Sequence, residues 1–161
     1  MDTLREGILM HKHPILTAAS LLLVLSGPVI ASGCPEGKEG PNPLTPLTEL
    51  KGDVAVHTYA KMDLGKEAIN AKGWTFRARS IMFAPGSVVQ LHSHDKRPET
   101  AMMKHGKVTI YETNCTVPYV MGEGDIYQSG AGDAHWAVNH SDEHAIMFVA
   151  DILSTDTFPG K

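Results

Sequence analysis

From Val54 onward the chain is a succession of short β-forming runs cut by turn residues, and this rhythm restricts the fold more than any other feature. VAVHTYAK, Trp74 to Phe83, SVVQLHSH, TAMMKHG, KVTIYET, DIYQS, HWAVNH and AIMFVADIL follow one another, with glycine- or aspartate-containing breaks between most of them. The Ala84-Pro85-Gly86 break is a turn. The one helical candidate, LGKEAINA at 64–71, has room for about two turns, too little for a parallel βαβ unit. Strands of this length and spacing build a sandwich or a closed barrel. The expectation is an all-β domain over residues 54–161.

A length of 161 residues with 42% hydrophobic content suits one packed domain. A net charge of -4 without a basic block excludes nucleic acid as a partner. Ahead of the domain, Ile15 to Leu25 reads ILTAASLLLVL, the length of a leader's apolar region and shorter than the roughly 18 residues of a spanning helix. Met10 offers an alternative start with a cleaner leader. Residues 1–33 are therefore expected to be a signal peptide, with export to the periplasm or cell envelope.

Cleavage fits after Ala31 or after Gly33, and the second would make Cys34 the first mature residue. Ala31-Ser32-Gly33-Cys34 resembles a bacterial lipoprotein box, with alanine where leucine is usual. Three fates are open to Cys34: a lipid anchor, a disulfide with Cys115, or a free thiol. Residues 34–53 carry Pro35, Pro41, Pro43 and Pro46, which deny them regular structure. They read as a flexible linker, and such an arm could swap onto a neighbour in a homodimer.

The nine histidines are the compositional oddity. His92 and His94 lie two apart in a strand-like run and so share a face. Glu99 follows across a loop containing Pro98, which lets its carboxylate return to the same point, and His135 opens another strand as a fourth donor. Three neutral imidazoles and one carboxylate suit a divalent transition metal: Fe(II) or Mn(II) first, then Zn, Ni or Cu. An octahedral ion with four protein ligands keeps two positions for chemistry.

Gly86, His92, His94, Glu99 and Gly106 fit the first cupin motif, G-x5-H-x-H-x4-E-x6-G, at residues 86–106. Gly124, Gly132, His135 and Asn139 fit the second at residues 124–139, with Gly130 where the family usually has proline. On these residues the chain resembles a small single-domain cupin of the RmlC-like superfamily. The resemblance implies an antiparallel jelly-roll β-barrel with the metal inside, held by His92, His94, Glu99 and His135. It further implies a small-molecule substrate and a metal-dependent reaction, with Glu99 and His135 as catalytic residues. Cupins include dioxygenases, decarboxylases, lyases and isomerases. A dioxygenase-like oxidoreductase is favoured over a non-catalytic small-molecule- or metal-binding cupin.

By strand parity Gln90 faces the same way as His92, and Met103 shares the face of Glu99. Arg97 could hold an anionic group at the pocket mouth, and Tyr127 or Tyr111 could supply a phenol. Gln90, Arg97, Met103 and Tyr127 are the candidate substrate contacts. His105, His140 and His144 read as exposed turn residues. Met82, Met102, Met103, Met121 and Met147 fit gap-filling in a β core better than copper binding.

Overall fold

The computed structural model describes residues 31–155; the leader's apolar region, Met10 and residues 156–161 lie outside them. The elements are β1 (Ala31–Ser32), β2 (Val54–Asp63), β3 (Trp74–Phe83), β4 (Val88–Ser93), β5 (Glu99–His105), β6 (Val108–Glu112), β7 (Tyr119–Met121), β8 (Ile126–Ser129), β9 (Ala134–Val138) and β10 (Ala145–Ser154). A six-stranded sheet runs β1-β8-β5-β10-β3-β2, and a four-stranded sheet runs β4-β9-β6-β7. Every β-forming run of the sequence became a strand. The 64–71 segment closes on itself as turns, with Asp63 Oδ1 accepting from the Gly65 N–H at 3.0 Å.

The core fills the space between the sheets. Along β10 burial alternates, so Ala145, Met147, Val149, Asp151 and Leu153 point inward. Of these, Ala145, Met147 and Val149 meet Ala101 and Met103 of β5 and Val108 and Ile110 of β6 in one apolar cluster. Strand β9 is buried on both faces. Ala137 joins that cluster, while Trp136 and Val138 form a second one with Val88. Among the methionines weighed as copper ligands, Met103, Met121 and Met147 are buried and Met82 and Met102 are exposed.

The expected closed jelly-roll barrel is not what forms. The two sheets share no strand pair among the described residues, and the all-β architecture is an open two-sheet packing. Strand-edge hydrogen bonds that closure would need are made elsewhere. On β4, Leu91 N–H donates to Leu47 O at 2.7 Å and Val88 bridges Lys51. On β8 the outer edge takes β1 in parallel, Ala31 opposite Ile126 and Ser32 opposite Tyr127. The last residues assigned to a leader are thus built into a sheet, and a wholly antiparallel sheet is also ruled out.

Residues 34–53 contain no regular strand, as their prolines dictate, yet they are stitched to their own chain. Gly40 N–H donates to Asn114 O at 2.8 Å, and Asn42 bonds Thr113 O and Glu112 O. An arm bonded in this way to its own chain gives the expected homodimer swap no support. Cys34 is joined to Cys115. The lipid anchor is therefore overturned, since no thiol remains to carry a lipid.

The crosslink spans a sequence separation of 81, and closing a loop of that size in the unfolded chain is worth about 4.5 kcal/mol. The double variant Cys34→Ser/Cys115→Ser should lower unfolding free energy by that amount in urea titrations. A loss under about 1 kcal/mol would mean that the loop is already closed in the unfolded state.

Candidate metal centre

Three strand ends deliver the three histidines and Glu99. His92 on β4 lies directly opposite His135 on β9, after a register shift between Val89 and His92 that breaks strict alternation. His94 follows the end of β4, and its N–H donates to Asp133 O at 2.9 Å, tying it to the turn before β9. Glu99 opens β5 on the other sheet, opposite Ser129 and Asp151. The ring centroids lie 4.9 Å (His92–His94), 4.5 Å (His92–His135) and 4.7 Å (His94–His135) apart. One donor atom from each of His92, His94, Glu99 and His135 falls within 4.8 Å of all the others.

Each imidazole is oriented by a bond at Nδ1. His92 Nδ1–H donates to Gln90 O at 2.9 Å and His94 Nδ1–H to Arg97 O at 3.0 Å, since a carbonyl only accepts. His135 Nδ1 lies 3.1 Å from the Tyr127 hydroxyl. The first two bonds place the ring proton on Nδ1 and leave Nε2 with its lone pair, the form a metal takes. Burial holds His92 and His94 down to about 4 and His135 well below its usual range, so all three are neutral at pH 7. His94 is fully buried, and its Nε2 has no hydrogen-bond partner. Glu99 Oε1 lies 3.7 Å from that nitrogen. An unpaired buried acceptor costs about 1–3 kcal/mol, and coordination would relieve it. The residues present therefore fit a divalent metal ion.

Behind the ligands lie two polar groups. On the β6 side, Glu112 sits opposite His135 and accepts from Tyr119 Oη at 2.9 Å. Burial pushes the phenols of Tyr119 and Tyr127 above their ordinary range, so both stay protonated. On the β5 side, Asp151 takes a two-pronged bond from Arg77, Nε at 3.0 Å and Nη2 at 2.7 Å. Arg79 Nη2 reaches Asp151 at 3.1 Å and Glu99 Oε2 at 3.4 Å. Arg97 Nη1 reaches the same two oxygens at 3.5 and 3.4 Å. Glu99 thus turns one oxygen toward the histidines and the other toward guanidiniums. Burial raises its pKa despite Arg97 and Arg79, which pull it down.

A cavity of about 390 Å³ opens over this cluster, lined by His92, His135 and Glu99 together with Gln90, Arg97 and Tyr127. Met103 does not line it and lies in the apolar core, 1% exposed. Tyr111 stacks on Trp136 at 5.0 Å and bonds His140 Nε2 at 2.8 Å, beside the second cluster and away from the cavity. His105, His140 and His144 are exposed.

Sequence reading missed Arg79, Asp151 and Glu112. A signal existed for the first two. Arg77 and Arg79 share parity with Phe83 in β3, and Asp151 shares parity with Val149 in β10, so charges occupy an otherwise apolar inward face. The motif departure at Gly130 also has a structural account: its N–H donates to Asp133 Oδ2 at 2.7 Å in the turn leading to His135. Proline has no N–H to give. Asn139 is fully buried and its amide donates to Phe83 O, Ala84 O and Glu143 O, pinning the end of β9. Gly106 has a φ of 69°, and a Cβ there would meet His144 O at 2.8 Å.

The two-sheet fold is cupin-like. The family model described as "Cupin domain" matches residues 79–151, a span that holds the four clustered donors. Among solved structures, the chain is similar to a predicted oxalate decarboxylase from Thermotoga maritima, at 19% identity and TM-score 0.51, covering 76% of this chain and 99% of that one. It is also similar to the Schizosaccharomyces pombe Cnp3 cupin domain, at 12% identity and TM-score 0.50, covering 68% and 72%. KdgF from Halomonas sp. matches at 12% identity and TM-score 0.50, covering 68% and 91%. At these identities the likeness establishes the fold alone. No curated protein matches the chain.

Proposed function

We propose that this protein is an exported metal-dependent enzyme that transforms a small organic molecule, with oxygenation as the favoured reaction class. The observation that carries this reading is the convergence of three neutral imidazoles and one carboxylate around the orphaned, buried Nε2 of His94. His92, His94, His135 and Glu99 would hold the ion, with Fe(II) or Mn(II) favoured because both serve the proposed oxygen chemistry. Such an ion supplies Lewis-acid polarisation of a substrate oxygen and, as iron or manganese, access to dioxygen chemistry. The chain's own groups do the rest. Apolar walls from Ile81, Phe83, Ile110 and Met147 keep water from the bound substrate. Gln90 offers an amide for orientation, and Glu99, which lines the cavity, is the carboxylate that would accept a proton.

Export is supported by the Cys34–Cys115 crosslink, because structural disulfides persist in oxidising compartments. The rival reading, a non-catalytic binding cupin, uses the same cavity without turnover. Elemental analysis of protein purified without chelators identifies the ion. Oxygen uptake is then measured with phenols, diketones and hydroxy acids. Wild type should consume oxygen with at least one class, and His135→Ala should not. Equal behaviour of wild type and His135→Ala with every metal supplied would defeat the enzymatic reading and leave binding.

A further inference from the structure

We infer that Tyr127 and Glu112 form a hydrogen-bonded relay behind His135, which seats the ring proton on Nδ1 and frees Nε2 for a metal ion. Both are positioning residues for the metal-dependent reading above, and the inference rests on that reading.

A neutral imidazole carries one N–H, so it offers Nε2 to a metal only when its proton sits on Nδ1. For His92 and His94 the choice is forced. Their Nδ1 partners are the carbonyls of Gln90 and Arg97, at 2.9 and 3.0 Å, and a carbonyl only accepts. His135 differs. Its Nδ1 lies 3.1 Å from the Tyr127 hydroxyl, a group that both donates and accepts. That contact alone lets His135 hold its proton on either nitrogen. A proton on Nε2 would leave no lone pair there for a cation.

The direction is set one residue further back. Glu112 lies opposite His135 in the β6–β9 pair and accepts from Tyr119 Oη at 2.9 Å. Glu112 and Tyr119 are also hydrogen-bond partners of the Tyr127 hydroxyl. A carboxylate has no proton to give, and Tyr119 has already given its own to Glu112. Both therefore draw the Tyr127 proton away from His135 and leave the phenol oxygen to accept from Nδ1–H. Ser129 also reaches that phenol, but a serine hydroxyl gives or takes and imposes no direction. The relay reads His135 Nδ1–H to Tyr127 Oη, then Tyr127 Oη–H to Glu112. It decides where the proton of the neutral ring sits, and it leaves the charge of the ring alone.

Burial and anchoring hold the relay in place. Tyr127 is 2% exposed, His135 5% and Glu112 9%, and hydrogen bonds in so dry a setting are stronger than in water. The main chain of Glu112 is fixed by Asn42, whose amide donates to Glu112 O at 2.9 Å, and by the Cys115 N–H at 3.3 Å.

Nitrogen-15 NMR of the disulfide-intact, metal-free protein at pH 7 reads the tautomers directly. Manganese competition against a chelator of known affinity reads the consequence. In wild type all three rings should carry the proton on Nδ1. Glu112→Gln keeps the size and an acceptor for Tyr119 but adds an amide donor that turns the Tyr127 hydroxyl around. His135 should then move its proton to Nε2, while His92 and His94, held by carbonyls, stay as they are. Manganese affinity should fall about 10- to 100-fold, the scale for losing a ligand's supporting partner. Should Glu112→Gln fail to fold, Tyr127→Phe takes its place under the same criteria, because it leaves Nδ1–H without an acceptor. The inference is overturned if wild-type His135 carries its proton on Nε2, or if the deciding variant keeps either the wild-type tautomer or the wild-type manganese affinity. Wild type that refuses manganese sinks the metal reading, and the nitrogen shifts of metal-free protein still judge the relay.

Discussion

His94→Ala should abolish metal binding while leaving the fold intact. Wild type should gain about 4 kcal/mol of unfolding free energy at free metal a thousand times its dissociation constant, and the variant should gain nothing. The expected loss of affinity exceeds the roughly 10–100-fold typical of removing a ligand's supporting partner, because His94 supplies a donor atom. Its Nε2 is buried without a partner, so truncation also removes an unsatisfied acceptor. In metal-free protein the variant should therefore cost less than an ordinary buried large-to-small change of about 2–5 kcal/mol. Denaturation with and without Mn(II), alongside elemental analysis, reads both effects. A variant that keeps one equivalent of metal would show that the cluster is not the site.

The metal-free protein should lose stability steeply as pH falls from about 6.5 to 4. Burial holds His92 and His94 down to about 4 and His135 well below its ordinary value of 6.5. Within that window the unfolded chain binds protons that the folded chain refuses, so acid favours unfolding. The contribution is complete above 6.5 and is lost as pH drops through the folded values. A depression of this size is worth about 3 kcal/mol for each of His92 and His94. Glu99 works in the opposite sense: its raised pKa makes the folded state bind a proton more readily than the unfolded one, which returns part of the loss at low pH. Urea midpoints at pH 7, 5.5 and 4.5 in chelator measure the slope. A flat profile would mean that these imidazoles are solvated in the folded state.

The ligand set was readable because its members are close in sequence or carry a motif. His92 and His94 sit two apart, Glu99 is one short loop away, and Gly124, Gly132 and Asn139 frame His135. Strand existence was readable for the same local reason: β3 and β10 are ten-residue runs in which β-branched and aromatic residues recur. Short β7 was not legible, since three residues beside Pro118 carry little periodic signal. The buried charge cluster was written in the sequence as inward-parity Arg77, Arg79 and Asp151. Its meaning depends on pairing between β3 and β10, where Arg77 lies opposite Asp151.

What the chain determined alone is local chemistry: which stretches extend, where turns fall, and which donors a metal would choose. Propensity, side-chain alternation and ligand type act over a few residues, so they survive without knowledge of the fold. Closure, crosslinking and charge balance were settled only by tertiary structure. Whether two sheets seal into a barrel depends on which partners pair with each strand edge, and here residues 47–51 and β1 occupy edges on β4 and β8. Cys34 and Cys115 meet across a separation of 81 because the proline-rich arm is bonded along the four-stranded sheet. Arg79 lies between Glu99 and Asp151 because long-range strand pairing placed it there. Such outcomes belong to pairs of residues far apart in the chain, and no local preference encodes them.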